Sequence, residues 1–246
     1  MLLVLPPSET KRDGGAEGSA LDLGVLGFPE LTAYRRATVA ALTALSRNVG
    51  ASNAALRLGP TQRFGIDRNR RVTSAPVLPA MDRYTGVLYD GLAVDTLTPA
   101  ERSFAAEHVA IQSALFGLLR AGDLIPAYRL SHDSRLPGLS LRRHWAAPVA
   151  EVLARRAGVV LDLRSEAYAA LGPRPTDSLY LRVLSEGSDG RRVALSHFNK
   201  KSKGEFTREL IASGIDHGSV DSLIDWARAR GIRLEPGAPG EIDLVV

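Results

Sequence analysis

Short apolar runs alternate with amphipathic stretches along the chain, and this pattern predicts a mixed α/β fold. Leu2–Leu5 is entirely apolar and stops at two prolines, as a buried strand does. Residues 159–163 and 241–246 are further short strands by the same criterion. After Pro29, apolar residues recur every three or four positions, which is typical of one face of a helix. We therefore expect a mixed sheet surrounded by helices.

Local signals predict several further elements. Thr98-Pro99-Ala100-Glu101 fits a capping box with proline at the first helical position, so a helix begins there. The apolar stripe that starts at Phe104 continues through His108 to Leu118, and we expect the helix to extend that far. YTGVLY is predicted to be extended, residues 178–184 and 191–198 to form a strand hairpin, and residues 141–157, 205–213 and 219–230 to be helices.

Length and composition favour one compact domain over residues 1–246. With 45% hydrophobic and 24% charged residues, the chain has the balance of a soluble globular protein. It has no apolar run of about 18 to 20 residues, so no membrane partner is expected. The apolar start is too short for a signal peptide, which makes the cytoplasm the expected location.

The residue types present exclude several chemistries. The chain has no cysteine, which rules out disulfides and thiolate nucleophiles. Its five histidines have no metal-ligand spacing, so neither a metal nor another cofactor is predicted. The net charge of +4 permits a polyanionic partner without requiring one.

Four stretches place polar residues directly after an apolar strand or helix. They are PPSETK, PAYRLSHD, LDLRSEAY and LSHFNKKSKGEF. In α/β folds, side chains beyond the strand ends collect in crevices that bind ligands, so we expect these stretches to meet in one basic cleft. The alternative is that they are solvated turns and strand-end corners. The supporting polar residues of the predicted cleft are Ser8, Tyr128, Asp162, Arg164, Ser165, Tyr168 and Ser196.

The lysine-rich stretch is the predicted phosphate site. Lys200, Lys201 and Lys203 lie just ahead of a predicted helix, and Arg208 lies within it. Backbone N–H groups and the helix dipole could therefore add to the attraction for an anion. The alternative for these lysines is a solvated basic face.

Arg129 has two interpretations. It can grip a phosphate or carboxylate in bidentate fashion, or it can be a structural arginine paired with Asp162 or Glu166. The sequence leaves both open.

Glu9, Lys11 and His197 are the candidates for acid–base chemistry. Glu9 is the candidate general base, Lys11 could meet a phosphate, and His197 follows a strand and precedes the lysines. His108 lies on an apolar stripe and is expected to be a core residue. Nothing in the sequence selects a reaction, so whether the protein is an enzyme stays open.

Six segments in series resemble the YaaA family of peroxide-stress-resistance proteins. They are LPPSETK, YTGVLYDGL, SALFGLLRAGDLIPAYRLS, LPGL followed by Trp145, VLDLRSEAY and SHFNKKSKG. The resemblance implies a cytoplasmic protein of the hydrogen-peroxide response that limits iron-driven damage. It also implies a link to DNA repair and binding of duplex or branched DNA. The implied fold is a single α/β domain with a positively charged cleft and a helix-hairpin-helix element.

The resemblance also implies where DNA would bind. SALFG, residues 113–117, is the counterpart of the hairpin, in which glycines let backbone N–H groups approach a phosphate. Ala114 stands where relatives carry the first glycine, and Gly117 is kept. The first hypothesis is therefore a DNA-binding stress protein whose phosphate contacts are Arg129, Lys200, Lys201, Lys203, Arg208 and Gly117.

Two other hypotheses remain. One is an enzyme that acts on a nucleotide, nucleoside or nucleobase in the same cleft, because carboxylates accompany the cations there. The other is a scaffold whose polar clusters only hold strand ends together.

Overall fold

The structure, a computed structural model, describes residues 1–187, 191–194 and 199–246. Its helices are α1 (Thr32–Leu45), α2 (Val49–Leu56), α3 (Phe64–Arg70), α4 (Ala80–Arg83), α5 (Val87–Leu92), α6 (Pro99–His108), α7 (Leu141–Ala154), α8 (Glu166–Ala169), α9 (Asn199–Ser213) and α10 (Val220–Ala229). Its strands are β1 (Leu2–Leu5), β2 (Leu78–Pro79), β3 (Val109–Ser113), β4 (Gly117–Arg120), β5 (Leu124–Ile125), β6 (Val160–Asp162), β7 (Leu179–Glu186), β8 (Arg192–Ala194), β9 (Arg233–Pro236) and β10 (Glu241–Val245).

Eight strands form one mixed sheet in the order β4-β3-β1-β6-β7-β10-β9, with β8 paired to β7. The strands from β3 to β10 in this order are parallel, and β4, β8 and β9 are antiparallel to their neighbours. β2 and β5 pair separately. β1 lies between β3 and β6 and is completely buried, which explains why its sequence is apolar without alternation. The whole is a single compact α/β domain, as predicted.

The sheet order creates a crevice between β1 and β6. From β1 the chain continues to β3 on one side, whereas from β6 it continues to β7 on the other side. The connections therefore leave this strand pair in opposite directions. In open α/β sheets, ligands bind beyond the carboxyl ends of the strands at such a point.

Several predicted elements are confirmed. The apolar runs form β1, β6 and β10, and residues 178–184 and 191–194 contribute to the hairpin of β7 and β8. The capping box is present, since the Glu101 amide donates to Thr98 Oγ1 (3.3 Å) and the Thr98 amide donates to the Glu101 carboxylate (2.6 Å). Within the described ranges, no helix is both long and apolar enough to cross a bilayer.

Two predictions of secondary structure are wrong. The helix that begins after Thr98 ends at His108, and the next eleven residues form β3, a turn and most of β4. Because this stretch is buried on all sides, its apolar residues satisfy a helical spacing as well as a strand spacing. YTGVLY is not extended either, since α5 begins within it.

The segment SALFG forms a buried turn between two strands. The Leu115 and Phe116 amides both donate to Ser113 Oγ, at 3.1 and 3.0 Å, so they face inward. Gly117 has φ +68°, and a Cβ there would lie 2.6 Å from the Trp145 ring. This turn connects β3 to β4 and not two helices, and Gly117 is buried against Trp145, where a phosphate cannot reach it. The implied phosphate contact at Gly117 is therefore wrong, and the glycine is needed for close packing.

Candidate ligand-binding cleft

A cleft of about 750 Å³ opens beyond the carboxyl ends of β1 and β6. The segments that follow β1 and β6 form two of its walls. The amino-terminal parts of α5 and α9 contribute further residues, and His132 and Tyr180 complete the lining. Its volume falls within the range of small-molecule sites, about 300 to 1,000 Å³. Elements that are distant in sequence therefore meet at one site.

Two glycines press α9 against α5 at the edge of the cleft. A Cβ on Gly204 would lie 2.0 Å from the Leu88 carbonyl oxygen, and a Cβ on Gly91 would lie 2.6 Å from the Lys201 carbonyl oxygen. Only glycine permits this separation of the two helices. The close contact places the amino-terminal turn of α9 beside the cleft.

Lys203 reaches the cleft from the second turn of α9 and is 4% exposed. Its Nζ donates to the Leu163 carbonyl oxygen (3.0 Å) and lies 4.9 Å from the centre of the Tyr180 ring. Burial lowers the pKa of Lys203 to about 8, although the charge of Asp162 opposes this shift. Because α9 already begins at Asn199, Lys203 lies within the helix and not ahead of it, contrary to expectation.

The other three predicted cations of this segment divide between the cleft and the surface. Lys200 is exposed and lines the cleft. Lys201 points elsewhere and pairs with Glu205 (3.3 Å), and Arg208 pairs with Glu101 (3.4 Å). The structure therefore brings only Lys200 and Lys203 of this basic group to the cleft.

Glu9 also lines the cleft, and it forms an ion pair with Arg129. The Tyr168 hydroxyl donates to Glu9 Oε1 at 3.5 Å. Asn69 holds the Arg129 backbone on both sides: its side-chain amide donates to the Arg129 carbonyl oxygen (2.8 Å), and its Oδ1 accepts from the Arg129 amide (2.7 Å). Gly65 makes room for the arginine stem, since a Cβ there would lie 2.8 Å from the Arg129 Cβ. Arg129 is thus a structural arginine, but its partner is Glu9.

Asp162 and Arg164 form a completely buried ion pair at the end of β6. The guanidinium donates to both carboxylate oxygens, at 2.8 and 2.7 Å, and to the Gln112 side chain at 3.0 Å. This arrangement matches the strand-end corner considered as the alternative to a ligand contact. This ion pair fixes the backbone between the two residues, where the Leu163 carbonyl oxygen accepts the hydrogen bond from Lys203 Nζ.

Lys11 lies behind the cleft wall, 6% exposed, in a cluster of tyrosines. Its Nζ donates to the Ser8 carbonyl (2.9 Å) and lies 4.3 Å from the centre of the Tyr128 ring. Burial, together with the nearby charges of Arg68 and Arg83, lowers the pKa of Lys11 to about 7. Lys11 does not line the cleft, so the direct phosphate contact expected of it is wrong.

The tyrosine hydroxyls behind the wall are hydrogen-bonded and un-ionised at neutral pH. The Tyr128 hydroxyl bonds both the Tyr84 hydroxyl and Ser113 Oγ, each at 2.7 Å. Burial raises the pKa of Tyr84 to about 12, and it also raises the pKa of Tyr128 and of Tyr168. Ser8 and Ser165 lie on the cleft surface itself.

Two predicted residues lie outside the described part of the chain, and two residues of the cleft were not predicted. Ser196 and His197 lie outside the described residues. The prediction missed His132, which meets the Tyr168 ring edge-on at 5.2 Å, and Asn199, whose Oδ1 has no hydrogen-bond partner among the described residues. His132 lies in PAYRLSHD and Asn199 lies in LSHFNKKSKGEF, so their positions in these two polar stretches could have predicted them as cleft residues.

The charge of the cleft is mixed. Its described lining carries two lysines, Lys200 and Lys203, and two carboxylates, Glu9 and Glu166. Over the same residues, no three His, Asp or Glu side chains are grouped as a metal site requires. The lysines suit an anionic group, and the carboxylates suit hydrogen-bond donors.

The fold and the cleft define an α/β protein with a small-molecule-sized site at a topological switch point. The family profile described as "Peroxide stress protein YaaA" matches residues 1–236. A UPF0246 protein of Corynebacterium efficiens is 43% identical over 242 residues, which cover 96% of this chain and 95% of that protein. A UPF0246 protein of Streptomyces coelicolor is 39% identical over 249 residues, covering 98% and 94%. The chain belongs to the YaaA (UPF0246) family of peroxide stress proteins, which confirms the resemblance and supports a role in the oxidative stress response.

Proposed function

We propose that this protein acts in the peroxide response by binding a small phosphorylated, nucleotide-like molecule in the cleft. The observation that carries the proposal is the position of Lys200 and Lys203 at one end of a cleft of about 750 Å³ that also contains aromatic rings and carboxylates. A ligand that matches all three features has an anionic group, a flat ring system and polar hydrogens. Nucleotides combine these properties.

The lysine end supplies the anion contact. Lys200 offers an exposed ammonium group, and the first turn of α9 adds the positive end of the helix dipole. These groups act together only because the two glycines bring α9 to the cleft.

The segments that follow β1 and β6 supply acceptors and ring contacts. Glu9 and Glu166 can accept hydrogen bonds from sugar hydroxyls or from the amino groups of a base. The rings of Tyr168 and His132 line the same region and offer surfaces for a flat heterocycle. This mixture of groups suits a small ligand better than a nucleic-acid backbone, which a purely cationic surface would bind.

The test is thermal stabilisation by a panel of nucleotides, with the matching nucleosides as controls. Lys200→Ala removes one charge-assisted contact and is expected to weaken nucleotide binding about tenfold, or roughly 1.4 kcal/mol. Lys201→Ala is the matched control, because Lys201 is the next residue but pairs with Glu205 outside the cleft. The proposal is refuted if no nucleotide stabilises the parent protein, or if both substitutions weaken binding equally.

DNA binding is the second candidate, and a segment that the sequence reasoning overlooked favours it. Residues 57–71 contain five arginines and one acidic residue, so this stretch alone carries a net charge of +4, equal to that of the whole chain. Phe64 is 54% exposed there, with the Arg68 guanidinium 4.6 Å from its ring centre. An exposed ring among arginines is a surface on which a nucleic-acid base can stack.

An electrophoretic shift series over several salt concentrations tests this candidate. The Arg63→Ala/Arg71→Ala pair removes two exposed charges and is expected to lower the slope of log affinity against log salt by about 2. The pair Arg228→Ala/Arg230→Ala, at the carboxyl end of α10, is the charge-matched control. Equal slopes for the two double variants would remove residues 57–71 as the DNA contact.

A further inference from the structure

The distribution of lysine in this chain points to amine chemistry at the cleft. Only four of the 31 basic residues are lysines, and these are Lys11, Lys200, Lys201 and Lys203. Lys11 lies in the segment that follows β1, and the other three lie at the start of α9; both segments contribute to the cleft, and every other basic side chain is an arginine. Arginine serves ion pairs and phosphate contacts at least as well as lysine, but its guanidinium does not deprotonate. Lysine is required where the uncharged amine is needed.

Lys203 has the surroundings of such an amine. It lines the cleft while being 4% exposed, and within the described part of the chain its Nζ donates one hydrogen bond, to the Leu163 carbonyl oxygen. Among the described residues, no carboxylate lies within ion-pair distance of its Nζ, because the nearby Asp162 is engaged by Arg164 on both oxygens. Burial without a carboxylate partner destabilises the ammonium form, so the neutral amine is more populated than in an exposed lysine.

Lys11 provides an internal comparison. It is as deeply buried as Lys203, and it likewise donates to a backbone carbonyl just beyond a strand end. However, Lys11 does not reach the cleft. Of the two buried amines, only Lys203 can meet a bound molecule.

We propose that Lys203 is a nucleophile that forms an imine with the carbonyl carbon of a phosphorylated aldehyde or ketone bound in the cleft. This inference rests on the proposed function, since Lys200 and the first turn of α9 would hold the phosphate. A nucleotide that has lost its base belongs to this class of ligand, because its free pentose phosphate opens to an aldehyde. The proposal thus narrows the ligand from nucleotide-like molecules to those with a reactive carbonyl group.

The reaction is balanced without an oxidant or a reductant. The neutral Nζ of Lys203 adds to the carbonyl carbon, and the carbonyl oxygen takes up a proton while the nitrogen loses one, which gives a carbinolamine. Loss of the hydroxyl group as water then forms the C=N bond. With a pKa of about 8, roughly a tenth of the Lys203 amine is neutral at pH 7, on the order of a hundredfold more than for a lysine of ordinary pKa.

Borohydride trapping tests the proposal on the full chain. The protein is incubated at pH 7 with 2-deoxyribose 5-phosphate and reduced with sodium borohydride, and the adduct is located by peptide mass spectrometry. We expect the adduct on Lys203 at least tenfold above that on Lys201, which is exposed and paired with Glu205, or on Lys11, which is buried away from the cleft. Lys203→Arg should abolish the adduct, and 2-deoxyribose without phosphate should give much less of it.

The outcomes separate this proposal from the proposed function. Adducts spread evenly over the lysines, or an absent Lys203 adduct in protein that AMP stabilises thermally, would overturn the imine while leaving phosphate binding in place. A Lys203 adduct in protein that no nucleotide stabilises would support Lys203 as the nucleophile and would refute the proposal of a nucleotide-like ligand. Mapping in the parent protein decides the question even if Lys203→Arg fails to fold.

Discussion

Lys11 makes the stability of this protein depend on pH in a way that can be measured. The side chain is buried beside two arginines, so the protonated amine is unfavourable in the folded state. Its pKa falls from 10.5 in the unfolded chain to about 7 in the folded protein. The perturbation that exposes this effect is Lys11→Met, which keeps an unbranched side chain but removes the titrating group.

The sign and size of the change in the free energy of unfolding with pH follow from proton linkage. Below pH 7 both states of Lys11 carry the proton, so the cost of burying the charge is present in full. Between pH 7 and 10.5 the unfolded state binds the proton more strongly, so the free energy of unfolding rises with pH. From pH 7 to pH 9 the two pKa values give a rise of about 2 kcal/mol from this one group.

The assay is urea denaturation at pH 7, 8 and 9. The parent protein should gain about 2 kcal/mol more than Lys11→Met across this range. Lys201→Met is the control, because Lys201 is exposed and should leave the slope unchanged. Tyr84, with its pKa near 12, stays neutral throughout the window. Parallel pH profiles for the parent and Lys11→Met would refute the account of a destabilising buried ammonium group.

Two further expectations concern the scaffold of the cleft. Gly204→Ala should lower the melting temperature, because the clash with Leu88 costs about 1 to 3 kcal/mol against a helix-propensity gain of about 1 kcal/mol. Gly50→Ala is the control and should raise the melting temperature, because Gly50 lies in a helix with space for a methyl group. Equal changes in melting temperature for the two variants would contradict the packing argument. Asp162→Asn should lower the free energy of unfolding by about 3 to 5 kcal/mol in denaturant titrations, because it leaves Arg164 buried without a counter-charge. The double variant Asp162→Leu/Arg164→Met should recover most of that stability. A double variant as unstable as the single one would show that the unpaired charge is not the cause.

Local signals in the sequence were sufficient wherever an element is defined by its own residues. The Thr98–Glu101 capping box predicted the start of α6 because both of its hydrogen bonds form within four residues. The run Leu2–Leu5 predicted β1 because a strand buried on both faces has no polar position. The same burial misled the prediction for residues 109–118, where continuous apolar character removes the difference between a helix and a strand.

The sequence by itself determined the sheet-and-helix class, the family and the stretches in which the polar residues of the cleft occur. The tertiary structure decided which of those residues meet. It paired Glu9 with Arg129, buried Lys11, engaged Lys201 and Arg208 in surface ion pairs, and left Lys200 and Lys203 at the cleft. The physical reason is that element identity depends on neighbouring residues, whereas partner choice, burial and pKa depend on side chains that only the packing of strands and helices brings together.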